Sequence, residues 1–584
     1  MQIKINNKSY DCNPDETILS VCKKNGIRVP TLCTHPDLLP SEGACRMCLV
    51  ETNQAKCLVS SCTTKVCEGL EVITESEKTN KARTINLELL WADHAGKCAK
   101  CKRNGNCELQ RLAKEFNIDE FRFVPRRGEP ALPDEIDLIK DNWSHVVVDE
   151  ENPSISRDSE YCIECRRCVK VCRDIQTVEA YGFNHRSSKS NVGTPYEKPL
   201  DCIFCGQCSM VCPTAAITEK DDTEKLEQAL ADPKKMVIAQ TAPSTRFTFS
   251  EEFGQNPGTF WEKQLVATLK ELGCDKVFDT VLGADLTIME EANELIERIK
   301  KGGPFPMFTS CCPSWVLYIE KYYPEFIPNL STCKSPQQML SSLIKTYYAE
   351  KEKFDPENIV NLSIMPCTSK KYEAQRKEMD ASGQKDTDIV LTVRELARLV
   401  RERKILPSYL KEKKYDPALG ISTGAGVLFA ASGGVMEAAL RTAVERITGQ
   451  ELAKLDFEIV RGEAGIRCAG IDIDGLNLKV AVVHEIRNAK KILEEIKQGK
   501  SEYHFVEVMA CPNGCIGGGG QPLPADQEIR NARIKGVLSR DKGMSLRKSH
   551  DNPVIKKLYK EFLEKPGSEK AEKLLHTKYT NRKK

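Results

Sequence analysis

The sequence predicts an α+β multidomain chain in which three small cysteine-bearing modules precede one large α/β domain. Three observations carry this expectation. The chain has 584 residues, enough for about four domains of ordinary size. Its 27 cysteines fall mostly in short-spaced groups. From about residue 233 onward the apolar pattern alternates between strand-like and helix-like segments, the mark of α/β winding.

Composition narrows the chemistry. Lys and Arg number 86 against 84 Asp and Glu, a net charge of +2, which argues against nucleic-acid binding driven by global charge. No apolar run approaches the roughly 18 residues of a membrane span. The start, Met1-Gln2-Ile3-Lys4-Ile5-Asn6, lacks a charged-then-apolar export pattern, so the expected location is the cytoplasm. Thiols there stay reduced, and a disulfide framework is a poor reading of so many cysteines. With only 8 histidines, thiolate-rich sites for iron-sulfur clusters or zinc are the better one.

Residues 1–78 open with Gln2-Ile3-Lys4-Ile5 and an Asn6-Asn7 turn, a hairpin signal. A short helix follows from Thr17 to Lys24. Cys33, Cys45, Cys48 and Cys62 can then hold one cluster, with Gly43 supplying turn freedom. Zinc is the plainer alternative, but one wide gap, one pair two residues apart and a later return fit a 2Fe-2S ferredoxin-like domain better. Cys12, Cys22, Cys57 and Cys67 remain as buried or idle thiols.

Residues 79–125 hold His94, Cys98, Cys101 and Cys107. The spacing places His94 and Cys98 on one helix face, and the set suits a 4Fe-4S cluster or zinc. Lys97, Lys100, Lys102, Arg103, Arg111 and Lys114 make the region locally basic. After a connector with Pro125, Pro130 and Pro133, residues 126–222 carry Cys162, Cys165, Cys168 and Cys172, then Cys202, Cys205, Cys208 and Cys212 followed by Pro213. This is the two-cluster bacterial ferredoxin array, in which the fourth cysteine of each run serves the other cluster. Arg173 stands where the first run usually has proline. A chain with such a wire favours iron-sulfur over zinc at the two earlier sites.

Residues 223–584 form the α/β part. Asp222-Thr223 caps a helix ending near Pro233. Met236 to Ala239, Lys276 to Phe278, Pro306 to Ser310, Ile359 to Met365, Ile389 to Leu391 and Phe505 to Met509 read as strands, with helices at Trp261 to Leu272 and Ile288 to Ile299. Three strands end in cysteine motifs: Cys311-Cys312-Pro313, Pro366-Cys367-Thr368-Ser369-Lys370, and Cys511-Pro512-Asn513-Gly514-Cys515 before Gly517 to Gly520. Sites in open α/β sheets form at strand carboxyl ends. Five thiols in one crevice supply the four a cubane needs and leave one over.

These motifs, with the order of the accessory sites, resemble the FeFe hydrogenases of the clostridial monomeric, ferredoxin-linked type over essentially the whole chain. The resemblance implies a β-grasp first domain and a catalytic domain with two sheet-containing lobes. It implies one 2Fe-2S cluster, three accessory 4Fe-4S clusters and an H-cluster. In that cluster Cys312, Cys367, Cys511 and Cys515 hold a 4Fe-4S cubane, and Cys515 also bridges to a di-iron unit with CO, cyanide and azadithiolate. Lys370 matches the residue that hydrogen-bonds a cyanide, and Met509 lies beside the di-iron unit. Pro243, Ser244, Gln337 and Phe429 match pocket-lining positions.

The same resemblance makes Cys311 the proton donor and orders a relay Arg298, Glu294, Ser331, Glu291, Cys311. Periodicity agrees, since Glu291, Glu294 and Arg298 share a helix face. It further implies H2 and protons as substrates, ferredoxin or flavodoxin as electron carrier, maturation proteins for the di-iron unit, and an anaerobic host. No dinucleotide fingerprint opens a helix after a strand, so direct NADH oxidation is not expected. Competing readings are an electron-transfer or hydrogen-sensing subunit of a larger redox complex, and a hydrogenase-like iron-sulfur assembly protein. The third motif carries Asn513 where the family commonly has Gly, and Cys333 replaces a usually small residue. Cys274 and Cys468 read as core thiols.

Overall fold

A computed structural model describes residues 1–94, 96–118, 122–123, 148–184, 190–452, 454–473, 475–500 and 502–583. The connector prolines 125, 130 and 133 lie outside the described residues. The chain folds as two compact units, Met1–Cys202 with Gln207–Thr218, and Ile203–Gly206 with Glu219–Lys584.

In the first unit, strand Gln2–Ile5 alternates exposed and buried residues, which turns Ile3 and Ile5 into a core. Asn6 and Asn7 take φ of 51° and 65°, the left-handed pair that lets the chain reverse into strand Lys8–Asp11. Helix Ile18–Lys24 starts at Thr17, whose side chain and that of Ser20 form a reciprocal capping box. The sheet has five strands, and Gln2–Ile5 pairs antiparallel with Lys8–Asp11 and parallel with Glu71–Ile73. Helix Glu77–Ala92 is tied to this sheet by the buried Arg83, whose guanidinium donates to the carbonyls of Leu49 at 2.6 Å and Thr74 at 2.8 Å.

The second unit contains two four-stranded sheets. One is all parallel, in the order Lys276–Asp279, Met236–Thr241, Ile359–Met365, Ile389–Thr392. Its strands are buried almost throughout, as expected where helices cover both faces. The other orders Met307–Phe308, Phe505–Met509, Leu476–His484 and Ile466–Ile473. Here the last two strands form an antiparallel hairpin that the sequence reading missed. Arg467, Gly470 and Asp472 interrupt its apolar pattern, and every second residue faces outward for much of its length.

Other expectations need correction. The strand read over residues 306–310 is only Met307–Phe308, because Pro306 has no N–H for a ladder bond. Asp222 precedes helix Thr223–Ala231 without a side-chain cap bond. Its carboxylate instead pairs with Lys371 and Lys225, both at 2.6 Å. Cys274 is buried as read, but Cys468 is exposed on the hairpin.

Candidate active site and metal centres

Two strand ends of the parallel sheet arrive level with each other. Thr241 pairs with Ile364, so Ala242-Pro243-Ser244 and Pro366-Cys367 leave the sheet side by side. In the other sheet Phe308 pairs with Val506. Thr309 then continues alongside, its N–H donating to Val506 O at 3.1 Å and its hydroxyl accepting from Val508 N–H at 3.2 Å. This brings Cys311 and Cys312 beside Ala510 and Cys511.

The strand ends surround one cavity. Cys311, Cys312, Cys367, Cys511 and Cys515 line it, together with Pro243, Ser244, Gln337, Lys370, Phe429 and Met509. All five thiols are free of disulfides. Asn513 and Gly514 take φ of 56° and 88°, folding the loop so that Cys511 and Cys515 face one space. A Cβ on Gly514 would lie 2.5 Å from Ser432 N, so only glycine permits this approach.

The donor set fits an iron-sulfur group. Burial first, then the neighbouring thiols Cys367 and Cys312, push the Cys511 thiol far up. A site that penalises bare thiolates so strongly is one where bound cations would compensate them. Lys370 is buried, and burial alone would lower its pKa; Glu373 more than offsets this, and the ammonium is held charged. It donates to Cys311 O at 3.1 Å and to Glu373 at 2.9 Å. Glu373 also accepts from Gln337 at 3.1 Å and Ser335 at 2.8 Å, and Gln337 Oε1 is buried without a hydrogen bond among the described residues. Glu373 thus anchors two cavity-lining groups, Lys370 and Gln337, and sequence reading missed it. Its signal was the spacing of three residues from Lys370 on helix Ser369–Glu373.

Behind Cys311 runs helix Val281–Lys301, which carries the buried Glu291 and Arg298 and the largely buried Glu294. Gly283 lets it press close to the 336–343 helix, since a Cβ there would lie 2.2 Å from Pro336 O. Arg298 donates to Glu294 at 2.6 Å and to Leu330 O at 2.8 Å. The Ser331 hydroxyl donates to Glu294 at 2.9 Å. Both Glu291 oxygens are buried without a hydrogen-bond partner among the described residues. Burial, reinforced by the charge of Glu294, pushes Glu291 up to about 8, against the pull of Ser331 and the Ser310 N–H. Burial and Glu291 in turn push the Cys311 thiol well above the ordinary range, so both groups keep their protons at neutral pH.

Cys33, Cys45, Cys48 and Cys62 converge in the first unit. Hydrogen bonds from Cys45 and Cys62 hold the Cys33 thiol far below its ordinary range, and Cys62 does the same more weakly for Cys48. His94 is buried and edge-on to Tyr161. It does not share a helix with Cys98 as its spacing suggested, because the helix ends at Ala92 and Cys98 opens a separate turn, Cys98–Lys100. Burial is the dominant cause raising the Cys101 and Cys107 thiols, with Cys98 close enough to add to the rise at Cys101 and Cys101 close enough to add to that at Cys107. Cys162, Cys165, Cys168 and Cys212 line one cavity, the crossed grouping expected of the double array. Cys208 senses Cys172 and Cys202 in the same way. Cys205 packs in the second unit, where a Cβ on Gly519 would meet its carbonyl at 2.5 Å.

Comparison with known proteins agrees with this geometry. Residues 235–519 match the family described as iron only hydrogenase large subunit, C-terminal domain, and residues 527–582 match iron hydrogenase small subunit. Residues 1–77 match a 2Fe-2S iron-sulfur cluster binding domain. Residues 83–122 match the iron-sulfur binding region of NADH-ubiquinone oxidoreductase-G, and 152–218 the ferredoxin-like domain of NADH-quinone oxidoreductase subunit 3. The chain is 41% identical to the NADP-reducing hydrogenase subunit HndD of Solidesulfovibrio fructosivorans, over 100% of this chain and 99% of that one. It is 39% identical to iron hydrogenase 1 of Clostridium pasteurianum, over 99% of both. An apo FeFe-hydrogenase variant of Chlamydomonas reinhardtii matches at a TM-score of 0.56 and 42% identity, covering 62% of this chain and 99% of that one. With its cysteine-lined cavity at the strand ends and full-length relatives of this kind, the chain belongs to the FeFe, or iron-only, hydrogenases.

Proposed function

We propose that this hydrogenase reversibly combines protons and electrons from reduced ferredoxin or flavodoxin into H2, in the cytoplasm of an anaerobic host. The observation that carries the reading is the five-cysteine cavity with a line of buried acids behind its one surplus thiol. Cys312, Cys367, Cys511 and Cys515 would hold a cubane, with Cys515 shared with a di-iron unit delivered by maturation proteins. That H-cluster supplies the redox chemistry of H2 when bound. Lys370, held charged by Glu373, would orient its cyanide, while Pro243, Ser244, Gln337, Phe429 and Met509 shape a dry pocket around it.

The protein's own part is to move protons. Arg298 orients Glu294, the Ser331 hydroxyl passes a proton between Glu294 and Glu291 by rotating, and Cys311 presents it to the cavity. Arg298 and Ser331 both reach Glu294 at hydrogen-bond distance, and the transfers through Glu291 to Cys311 would need side-chain rotation or a bridging water. Electrons would enter through one 2Fe-2S and three accessory 4Fe-4S clusters, ligated by Cys33, Cys45, Cys48 and Cys62, by His94, Cys98, Cys101 and Cys107, and by the eight cysteines of the double array. Cys205, pressed against the glycine run beside Cys515, would be the last ligand before the cubane. The inventory is about 20 irons per chain.

Ferredoxin docking would use Lys100, Lys102, Arg111 and Lys114, which are exposed. Lys97 and Arg103 drop out of that surface, since Lys97 pairs with Glu160 at 2.7 Å and Arg103 is buried on Ser209 O. A second reading, favoured by the full-length identity to a NADP-reducing hydrogenase subunit, makes the electron partner another subunit. Infrared spectroscopy of matured protein tests the first reading. Bands of metal-bound CO and cyanide together with H2 evolution from reduced ferredoxin are expected. Bands without ferredoxin-driven turnover favour the second reading, and iron-replete protein with no bands refutes both.

A further inference from the structure

Where the chain's last residues fold back, His576 lies against the loop that carries Ser331. Lys334 N–H donates to Leu575 O and Thr577 N–H to Thr332 O, both at 2.8 Å, a short bridge that sets Cys333 opposite His576. One ligand atom each of Glu294, Cys333 and His576 all lie within 4.8 Å of one another. Carboxylate, thiol and imidazole are the donors that zinc-class ions select, usually with a fourth position open. Tetrahedral ligands sit about 3.5 Å apart, so side-chain adjustments of about 1 Å would close the cage.

We propose that Glu294, Cys333 and His576 form a binding site for a zinc-class divalent cation, and that its occupation arrests proton delivery. The arrest rests on the relay reading above, because the ion would take the Glu294 carboxylate that Ser331 and Arg298 now share. The charge balance supports binding. Glu290 accepts from Tyr559 and Gly567 and lies 3.2 Å from His576 Nε2, so three acids, Glu290, Glu291 and Glu294, surround this corner. Burial and those three carboxylates hold the Cys333 thiol protonated, and a bound dication would reverse that, with the thiol proton leaving to solvent. Entry is open on one side. Thr332 is exposed, its hydroxyl is 2.8 Å from His576 Nδ1, and the exposed Glu572 stands 3.8 Å from the same nitrogen.

The test uses matured holoenzyme and Zn²⁺ alone. Zinc-edge absorption spectroscopy should give one sulfur at about 2.3 Å with two or three nitrogen or oxygen ligands at about 2.0–2.1 Å. H2 evolution should fall as the ion binds. In Cys333→Ala and His576→Gln, each compared with its own metal-free rate, the inhibitory concentration should rise at least about tenfold, and Cys333→Ala should lose the sulfur shell. Should either variant fold poorly, the other carries the comparison. A four-sulfur environment, or inhibition unchanged in both variants, would overturn the site. One-sulfur binding without inhibition would overturn the arrest and with it the entry of protons through Glu294.

Discussion

The two units of the chain use cysteine in opposite ways. In Met1–Cys202 with Gln207–Thr218, most thiols come from runs two or three residues apart, although Cys212 joins Cys162, Cys165 and Cys168 from farther along the chain. In the catalytic unit, Cys311, Cys367 and Cys511 come from the ends of three strands in two sheets. In the proposed function the first arrangement serves as a wire whose parts are mostly local. The second is a site that exists only after the sheets have formed, and its supporting groups lie farther still from the thiols in sequence.

That difference sets what substitutions do. The largest effect is expected at Cys312, where Cys312→Ser would remove a proposed strand-end ligand. Iron of the catalytic unit and all turnover should be lost in metal analysis, while a comparable change at Cys162 should remove one accessory cluster and leave the cavity's iron in place. If both changes emptied the cavity, the two units would not be independent.

Next comes Glu373→Gln, which leaves the buried Lys370 ammonium without its counter-charge. Breaking a buried pair costs about 3–5 kcal/mol, so denaturant unfolding should show a loss of that size, with turnover falling as Gln337 and Lys370 lose their anchor. No such loss should follow Glu71→Gln, whose partner Lys4 is exposed; surface pairs contribute about 0–1 kcal/mol.

A third effect is on pH. Glu291 is raised from 4.5 to about 8, so its proton is bound more tightly in the folded than in the unfolded chain. Its contribution favours the folded state below about pH 4.5 and is lost as pH rises through about 8. The same titration should give H2 evolution a basic limb near pH 8. Glu291→Gln should lower the rate by about 10²–10⁴-fold and abolish that limb. A retained limb would assign it to another group.

The smallest effect is at the docking surface. Charge reversal at Lys100 and Lys102 should weaken ferredoxin-driven turnover by a few-fold at low salt and hardly at 0.5 M, about where screening removes surface steering. Rates with a small artificial reductant should not change.

How legible each part was follows from the same contrast. The double array was readable because its ligands sit two or three residues apart. The strand-end motifs were readable because Ile359–Met365 and Phe505–Met509 are short, mainly apolar strands, broken only by Asn361, Ser363 and Glu507, each followed one residue later by a cysteine motif. Glu291 and Glu294 were readable by helical period, yet nothing in that period shows that one carboxyl is fully buried while the other is held by an arginine. Glu373 was invisible, since a Glu after a Lys on a short helix reads as a solvent pair until both are buried. His94 misled because helix Glu77–Ala92 stops two residues short of it. His576 and Cys333, 243 positions apart in numbering, could be joined only by the fold.

The central claim is that Cys311 is the surplus thiol, a proton-transfer group with no metal to hold. Cys311→Ser in matured protein tests it most directly, read by iron content, the CO and cyanide infrared bands and the rate of H2 evolution on one sample. The account predicts unchanged iron and bands with a rate lower by about 10²–10⁴-fold, and partial recovery with a shifted pH profile in Cys311→Asp. Loss of iron or bands in Cys311→Ser, with Cys312→Ser keeping both, would contradict it and exchange the two roles.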